Sequence, residues 1–144
     1  MKKILMVEDD KRIIAALNVR LRARGYDVCA AYDATLAMTQ AIAHQPDLAL
    51  LDISLPGGDG FVVAERLRGT VSTANIPIIF ISALKQPGLK EKAKAMGAVA
   101  FFEKPFESND LLAVIDATLG QTASISFNEL VRWDKRQPSH SFTC

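Results

Sequence analysis

Short apolar runs recur along this chain and alternate with segments whose apolar positions repeat every three or four residues. That alternation predicts a parallel sheet with crossover helices. The first run is Ile4-Leu5-Met6-Val7. After it, Ile13, Ile14, Leu17 and Leu21 share one helical face, Arg12, Arg20 and Arg24 lie off that face, and Gly25 stands where a helix stops. Tyr26 to Ala31 reads as a second strand, followed by a helix that Asp33 can cap and that runs to about His44, before Pro46-Asp47. Leu48-Ala49-Leu50-Leu51 is apolar without interruption, as a strand buried on both faces should be. Pro56-Gly57-Gly58-Asp59-Gly60 is turn chemistry, and the helix after it spans about Phe61 to Leu67. A polar loop, Val71 to Asn75, leads to a fourth strand at Ile76 to Ile81, with Pro77 near its start. A helix at Leu89 to Met96 turns Leu89, Ala93 and Met96 inward, and a fifth strand covers Val99 to Phe102. Ser108 or Asn109 can cap a last helix that buries Leu111, Leu112, Ile115 and Leu119 and ends at Gly120.

The count is five strands and five helices over residues 1–120. Residues 121–144 do not continue the alternation. Ser126-Phe127-Asn128-Glu129 has capping-box spacing for a short helix through Trp133, and the tail is expected to be partly disordered or loosely docked through Phe127, Leu130 and Trp133.

Polar residues fall at the ends of the apolar runs. Glu8 and Asp9 follow the first, Asp52 the third, Ser82 the fourth and Lys104 the fifth. In open parallel sheets ligands bind outside the carboxyl ends of the strands, near the point where strand order reverses. Three carboxylates gathered there cannot all ionise cheaply without a cation, and hard oxygen donors suit Mg²⁺. A central carboxylate can act as nucleophile toward phosphorus, while a metal, an ammonium and a hydroxyl neutralise the equatorial oxygens. Taken singly, each residue has a plainer use. Asp52 could make an Asx turn, the acidic run could favour a helix start, Ser82 could be a turn hydroxyl, and Lys104 a surface lysine. The order and the shared position at strand ends favour the chemical reading.

With these residues in place, the chain resembles the receiver domain of two-component response regulators over about residues 3–119. The likeness rests on Glu8-Asp9 after the first run, Asp52 after Leu-Ala-Leu-Leu, Pro56-Gly57 and Asp59-Gly60, Ser82-Ala83, and Lys104-Pro105-Phe106. The resemblance implies a flavodoxin-like, doubly wound five-stranded parallel sheet of order 2-1-3-4-5 with five helices. It implies Asp52 as phosphoacceptor, and Mg²⁺ held by Asp9, Asp52 and the backbone carbonyl of Ser54, with Glu8 acting largely through a metal-bound water. It further implies Lys104 on a phosphoryl oxygen, a cis bond between Lys104 and Pro105, Ser82 on another phosphoryl oxygen, and Phe101 as the aromatic switch that turns inward in the active state. Glu8 stands where Asp is commoner, and Phe101 lacks the hydroxyl of a Tyr often found there. The implied donor is a sensor histidine kinase or a phosphotransfer protein. The implied output is a downstream protein target or an output domain beyond this chain, through helix four, strand five and helix five, with a homodimer left open.

Two other classes fit less well. A metal-dependent phosphatase of the haloacid-dehalogenase type needs an Asp two residues after the nucleophile, where this chain has Ser54. A nucleotide or flavin module needs glycines after the first strand, where Glu8-Asp9-Asp10 would repel a phosphate. The chain of 144 residues has 49% hydrophobic and 23% charged residues and a formal net charge of +1, so no strong field draws it to nucleic acid or an anionic membrane. Its apolar runs are too short for a signal peptide or a membrane span, and Cys29 and Cys144 lack metal or redox spacing, so a cytoplasmic home is expected.

Overall fold

The computed structural model describes residues 1–120. The predicted tail helix and its anchors Phe127, Leu130 and Trp133 lie outside the described residues. Five strands, β1 (Lys3–Val7), β2 (Asp27–Ala31), β3 (Leu48–Asp52), β4 (Ile78–Ser82) and β5 (Ala100–Glu103), alternate with five helices. These are α1 (Lys11–Ala23), α2 (Ala34–His44), α3 (Gly60–Arg68), α4 (Leu89–Ala95) and α5 (Ser108–Thr118). The strands are all parallel in the order β2-β1-β3-β4-β5.

Two apolar layers explain why the inner strands read as unbroken hydrophobic runs. Successive strand residues point to opposite faces. Leu5, Val7, Ala49, Leu51, Ile78 and Phe80 pack with Ala37 and Ala41 of α2, Phe61 and Leu67 of α3 and Ala93 of α4. Ile4, Met6, Leu48, Leu50, Ile79 and Ile81 pack with Leu17 and Leu21 of α1 and Leu111, Leu112 and Ile115 of α5.

The helix starts follow local chemistry. Asp10, Asp33 and Asp59 each accept a backbone N–H from the first turn of α1, α2 and α3. The cap of α5 is Glu107, which accepts from the Asn109 N–H, rather than Ser108 or Asn109 themselves. Glutamate can reach this position because its longer stem still brings a carboxylate oxygen to a free N–H two residues on. β4 begins at Ile78 rather than Ile76, since Pro77 has no N–H for the ladder, although its carbonyl accepts from Ala49 at 2.9 Å.

The chain passes from β1 outward to β2 and then back across β1 to β3. Strand order therefore reverses between β1 and β3, where Val7 pairs with Leu51. The residues just beyond that pair are Glu8 and Asp52.

Candidate functional site

Strand register brings the acidic residues together. Asp52 closes β3 opposite Ile81 of β4, and Glu8 follows Val7, its N–H donating to the Ala31 carbonyl at 3.0 Å. One carboxylate oxygen from each of Glu8, Asp9 and Asp52 falls in a group spanning no more than 4.8 Å. Glu8 and Asp52 are buried and Asp9 is exposed, so the cluster opens to solvent on one side. Asp10 is drawn out of the cluster by its capping role at α1.

Lys104 enters from β5. Its Nζ donates to Glu8 Oε1 and to Asp52 Oδ2, both at 2.7 Å, and it joins the buried carboxylates into one network. Asp52 Oδ1 accepts the Ser54 N–H at 2.9 Å, so both oxygens of the central carboxylate are oriented, each by a different donor. The Lys104–Pro105 peptide is cis, and the Lys104 N–H donates to the Ser82 carbonyl at 2.8 Å. Glu8 is oriented a second time by the Asp10 N–H, at 3.1 Å from Oε2. Burial and the neighbouring Asp52 carboxylate raise the Glu8 carboxyl from 4.5 to about 7, against the pull of Lys104. Burial works against the charge on Lys104, but its two carboxylate partners prevail and raise its pKa above the ordinary lysine value.

The raised Glu8 carboxyl makes the stability of the metal-free domain depend on pH. The unfolded chain releases this proton near 4.5 and the folded chain near 7. The folded state therefore holds more protons between those values, and metal-free stability falls as pH rises across that window. Glu8→Gln is neutral throughout and should flatten this slope. Urea midpoints taken at about pH 5 and about pH 7.5 measure it. An unchanged slope in the variant would move the titration to another group.

Glu8, Asp9, Asp52 and Lys104 thus meet in one place. Ser82 is fully buried one residue beyond the β4 partner of Asp52, and its Oγ accepts the Leu84 N–H at 2.9 Å. Phe101 does not enter the site. It is buried in the layer beneath α2, α3 and α4 and pairs in register with Phe80. The direct bond from Lys104 to Glu8 was not foreseen, since the residues lie 96 apart in sequence. The close seating of Gly60 against Asp52 also went unread, although the Asp59-Gly60 pair was visible as a turn signal.

The sequence matches the response regulator receiver domain over residues 4–116. The chain belongs to the response regulator receiver domain family. This receiver is 38% identical over 125 residues to the DNA-binding dual master transcriptional regulator RpaA of Synechocystis sp., a match covering 87% of this chain and 52% of that protein. The chain therefore spans about half the length of that relative. The non-phosphorylated HemR receiver domain of Leptospira biflexa superposes with a TM-score of 0.76 at 28% identity, covering 87% of this chain and 99% of that one. The BeF3-activated N-terminal receiver domain of Klebsiella pneumoniae RstA gives 0.75 at 30% identity, covering 82% and 98%. The receiver belongs to two-component signalling. Among the described residues no helix is long and apolar enough to cross a membrane.

Proposed function

We propose that the receiver takes a phosphoryl group onto Asp52 from a sensor histidine kinase or a phosphotransfer protein and thereby switches a protein-interaction surface. The observation that carries this reading is the pair of 2.7 Å bonds from Lys104 to Asp52 and Glu8, beside a carboxylate cluster open to solvent at Asp9. An Asp52 oxygen attacks phosphorus, the bond from phosphorus to the donor's leaving atom breaks, and the leaving group departs with that electron pair. Asp9, Asp52 and the Ser54 carbonyl would hold Mg²⁺, and Glu8 would reach it largely through water. The three clustered carboxylates fit a hard divalent cation, which supplies charge neutralisation on the phosphoryl oxygens. Lys104 moves from a carboxylate oxygen to a phosphoryl oxygen, a short shift for a flexible ammonium already at the site. The Ser82 hydroxyl donates a hydrogen bond to another phosphoryl oxygen and keeps its proton. The same groups serve later hydrolysis, so the domain acts as a phosphoacceptor switch and not as a turnover enzyme.

Output runs through α4, β5 and α5 to a downstream protein target or to an output domain, in the cytoplasm, and a second copy of the chain would use the same face. Direct nucleic-acid binding by this chain is not part of the proposal, since a net charge of +1 offers no basic field. Phe101 stands at the position that the resemblance gives to the aromatic switch, but as a phenylalanine it contributes little of the movement. It is already buried while the Ser82 hydroxyl is still bonded to its own loop. A phenylalanine has no hydroxyl to satisfy at the surface, so burial favours the inward position without help from a phosphoryl group. The change on phosphorylation then falls chiefly on Ser82 and the β4–α4 loop.

Borohydride reduction tests the assignment, because it converts an aspartyl phosphate to homoserine. After treatment with acetyl phosphate and Mg²⁺, peptide mapping is expected to find homoserine at position 52. Homoserine at any other aspartate would overturn the assignment.

A further inference from the structure

The five-strand scaffold leaves one close backbone contact that the residues named so far do not explain. β3 ends at Asp52, the chain loops out through residues 53–59, and α3 begins at Gly60. The Gly60 N–H donates to the Ile53 carbonyl at 2.9 Å, so the loop returns to the peptide it has just left. A Cβ at position 60 would lie 2.4 Å from the Asp52 backbone oxygen, 3.0 Å from its carbonyl carbon and 3.0 Å from the Ile53 Cα. Carbon and oxygen do not approach to 2.4 Å without a bond, and the obstacle is backbone, which cannot rotate aside as a side chain can.

Gly60 differs in kind from the two glycines before it. Gly57 and Gly58 have φ values of 77° and 135°, so their glycines serve backbone conformation. Gly60 is helical, and its glycine serves close approach alone. Neither side of the contact has room to retreat. The Ile53 N–H is bonded to the Ile81 carbonyl of the neighbouring strand at 3.0 Å. On the other side α3 is anchored by the buried Phe61, Val63, Ala64 and Leu67, with the Phe61 ring centroid 4.9 Å from that of Phe80. A side chain at 60 must therefore displace the Asp52–Ile53 peptide or the first turn of α3. Ser54, which follows that peptide, donates its N–H to Asp52 Oδ1.

We infer that Gly60 is a positioning residue for the phosphoacceptor: its missing side chain lets α3 close the 53–59 loop so that the Asp52 carboxylate and the Ser54 backbone hold their places. This rests on the reading of Asp52 as phosphoacceptor and adds a residue which that reading does not require.

The test compares wild type, Gly60→Ala and Leu21→Ala. Leu21 is fully buried near the opposite end of the sheet, where its carbonyl bonds Tyr26, so its truncation destabilises the fold away from the site. All three are kept folded with trimethylamine N-oxide, checked by circular dichroism. Phosphoryl uptake from acetyl phosphate is measured against Mg²⁺, and Mg²⁺ affinity is read separately from amide chemical shifts. Gly60→Ala should lower the maximal uptake rate by roughly 100-fold, the scale of an ångström-sized misplacement, and should weaken Mg²⁺ binding. Leu21→Ala should keep both within about twofold of wild type, since it removes stability alone. A folded Gly60→Ala with wild-type uptake and Mg²⁺ affinity would overturn the inference. So would a Gly60→Ala that cannot be kept folded where Leu21→Ala can, because the role would then be in folding. A wild type that takes up no phosphoryl group while Mg²⁺ affinity still separates Gly60→Ala from Leu21→Ala would count against the parent reading alone.

Discussion

Replacing Asp52 with Asn is expected to abolish phosphoryl uptake completely while leaving the fold intact. The variant retains an oxygen that can accept the Ser54 N–H, which is 2.9 Å from Asp52 Oδ1 in the native site. What it loses is the anionic oxygen that attacks phosphorus, and an amide is not a substitute nucleophile at neutral pH. It also removes one of three clustered carboxylates, so Mg²⁺ affinity should fall. Intact mass after incubation with acetyl phosphate and Mg²⁺ measures the first effect. Any stoichiometric mass gain in the variant would place the acceptor elsewhere.

Lys104→Met has the second largest expected effect, and it acts in two ways. The side chain is about as long as lysine but carries no charge, so Glu8 and Asp52 would face each other without their shared cation. Both carboxylates are almost fully buried, and removing the partner of a buried charge costs ~3 kcal/mol. Glu8 can relieve part of that cost by taking up a proton, so the loss of stability should shrink toward acid pH and also when Mg²⁺ is added. Chemical denaturation with and without Mg²⁺ measures it. The rate of phosphoryl uptake should also fall by roughly 100-fold, as for loss of one oriented donor to a developing charge. A variant as stable as wild type at neutral pH without Mg²⁺ would mean that the network contributes little to the native fold.

Much of this was legible in the sequence because the information was local. Alternating apolar runs and helical periodicities located the five strands and five helices, and Asp33 was readable as the cap of α2, whereas the caps at Asp10 and Asp59 emerge from the structure. The gathering of Glu8, Asp9, Asp52 and Lys104 could be read because each follows the end of an apolar run, and a parallel sheet puts such ends on one edge. What escaped the sequence was contact between distant residues. Buried Tyr26 and Asp116 meet at the far end of the sheet under the exposed Arg24, with the Tyr26 hydroxyl donating to Asp116 Oδ1 at 2.5 Å and Arg24 bonded to Oδ2. No spacing rule joins residues 90 apart, and Asp116 would be taken for an exposed position of α5. Ile76 is apolar like the strand after it, yet β4 starts only at Ile78, because the Ile76 N–H bonds the Thr73 carbonyl at 3.2 Å. Gly60 is visible as a turn residue, but its close approach to the Asp52 carbonyl is set by how α3 folds back on β3, which no local pattern encodes.

A metal-dependent phosphoacceptor at the end of β3 must gain mass when a phosphodonor and Mg²⁺ are both present, and intact mass spectrometry of the wild-type chain reads that gain. The protein is incubated with acetyl phosphate, once with Mg²⁺ and once with all divalent cations chelated. The predicted result is a gain of one phosphoryl group with Mg²⁺ and none without it. An unmodified chain in a sample where Mg²⁺ is shown to bind, and where a phosphorylated receiver used as reference survives the same handling, would contradict it and leave a receiver fold with a silent site.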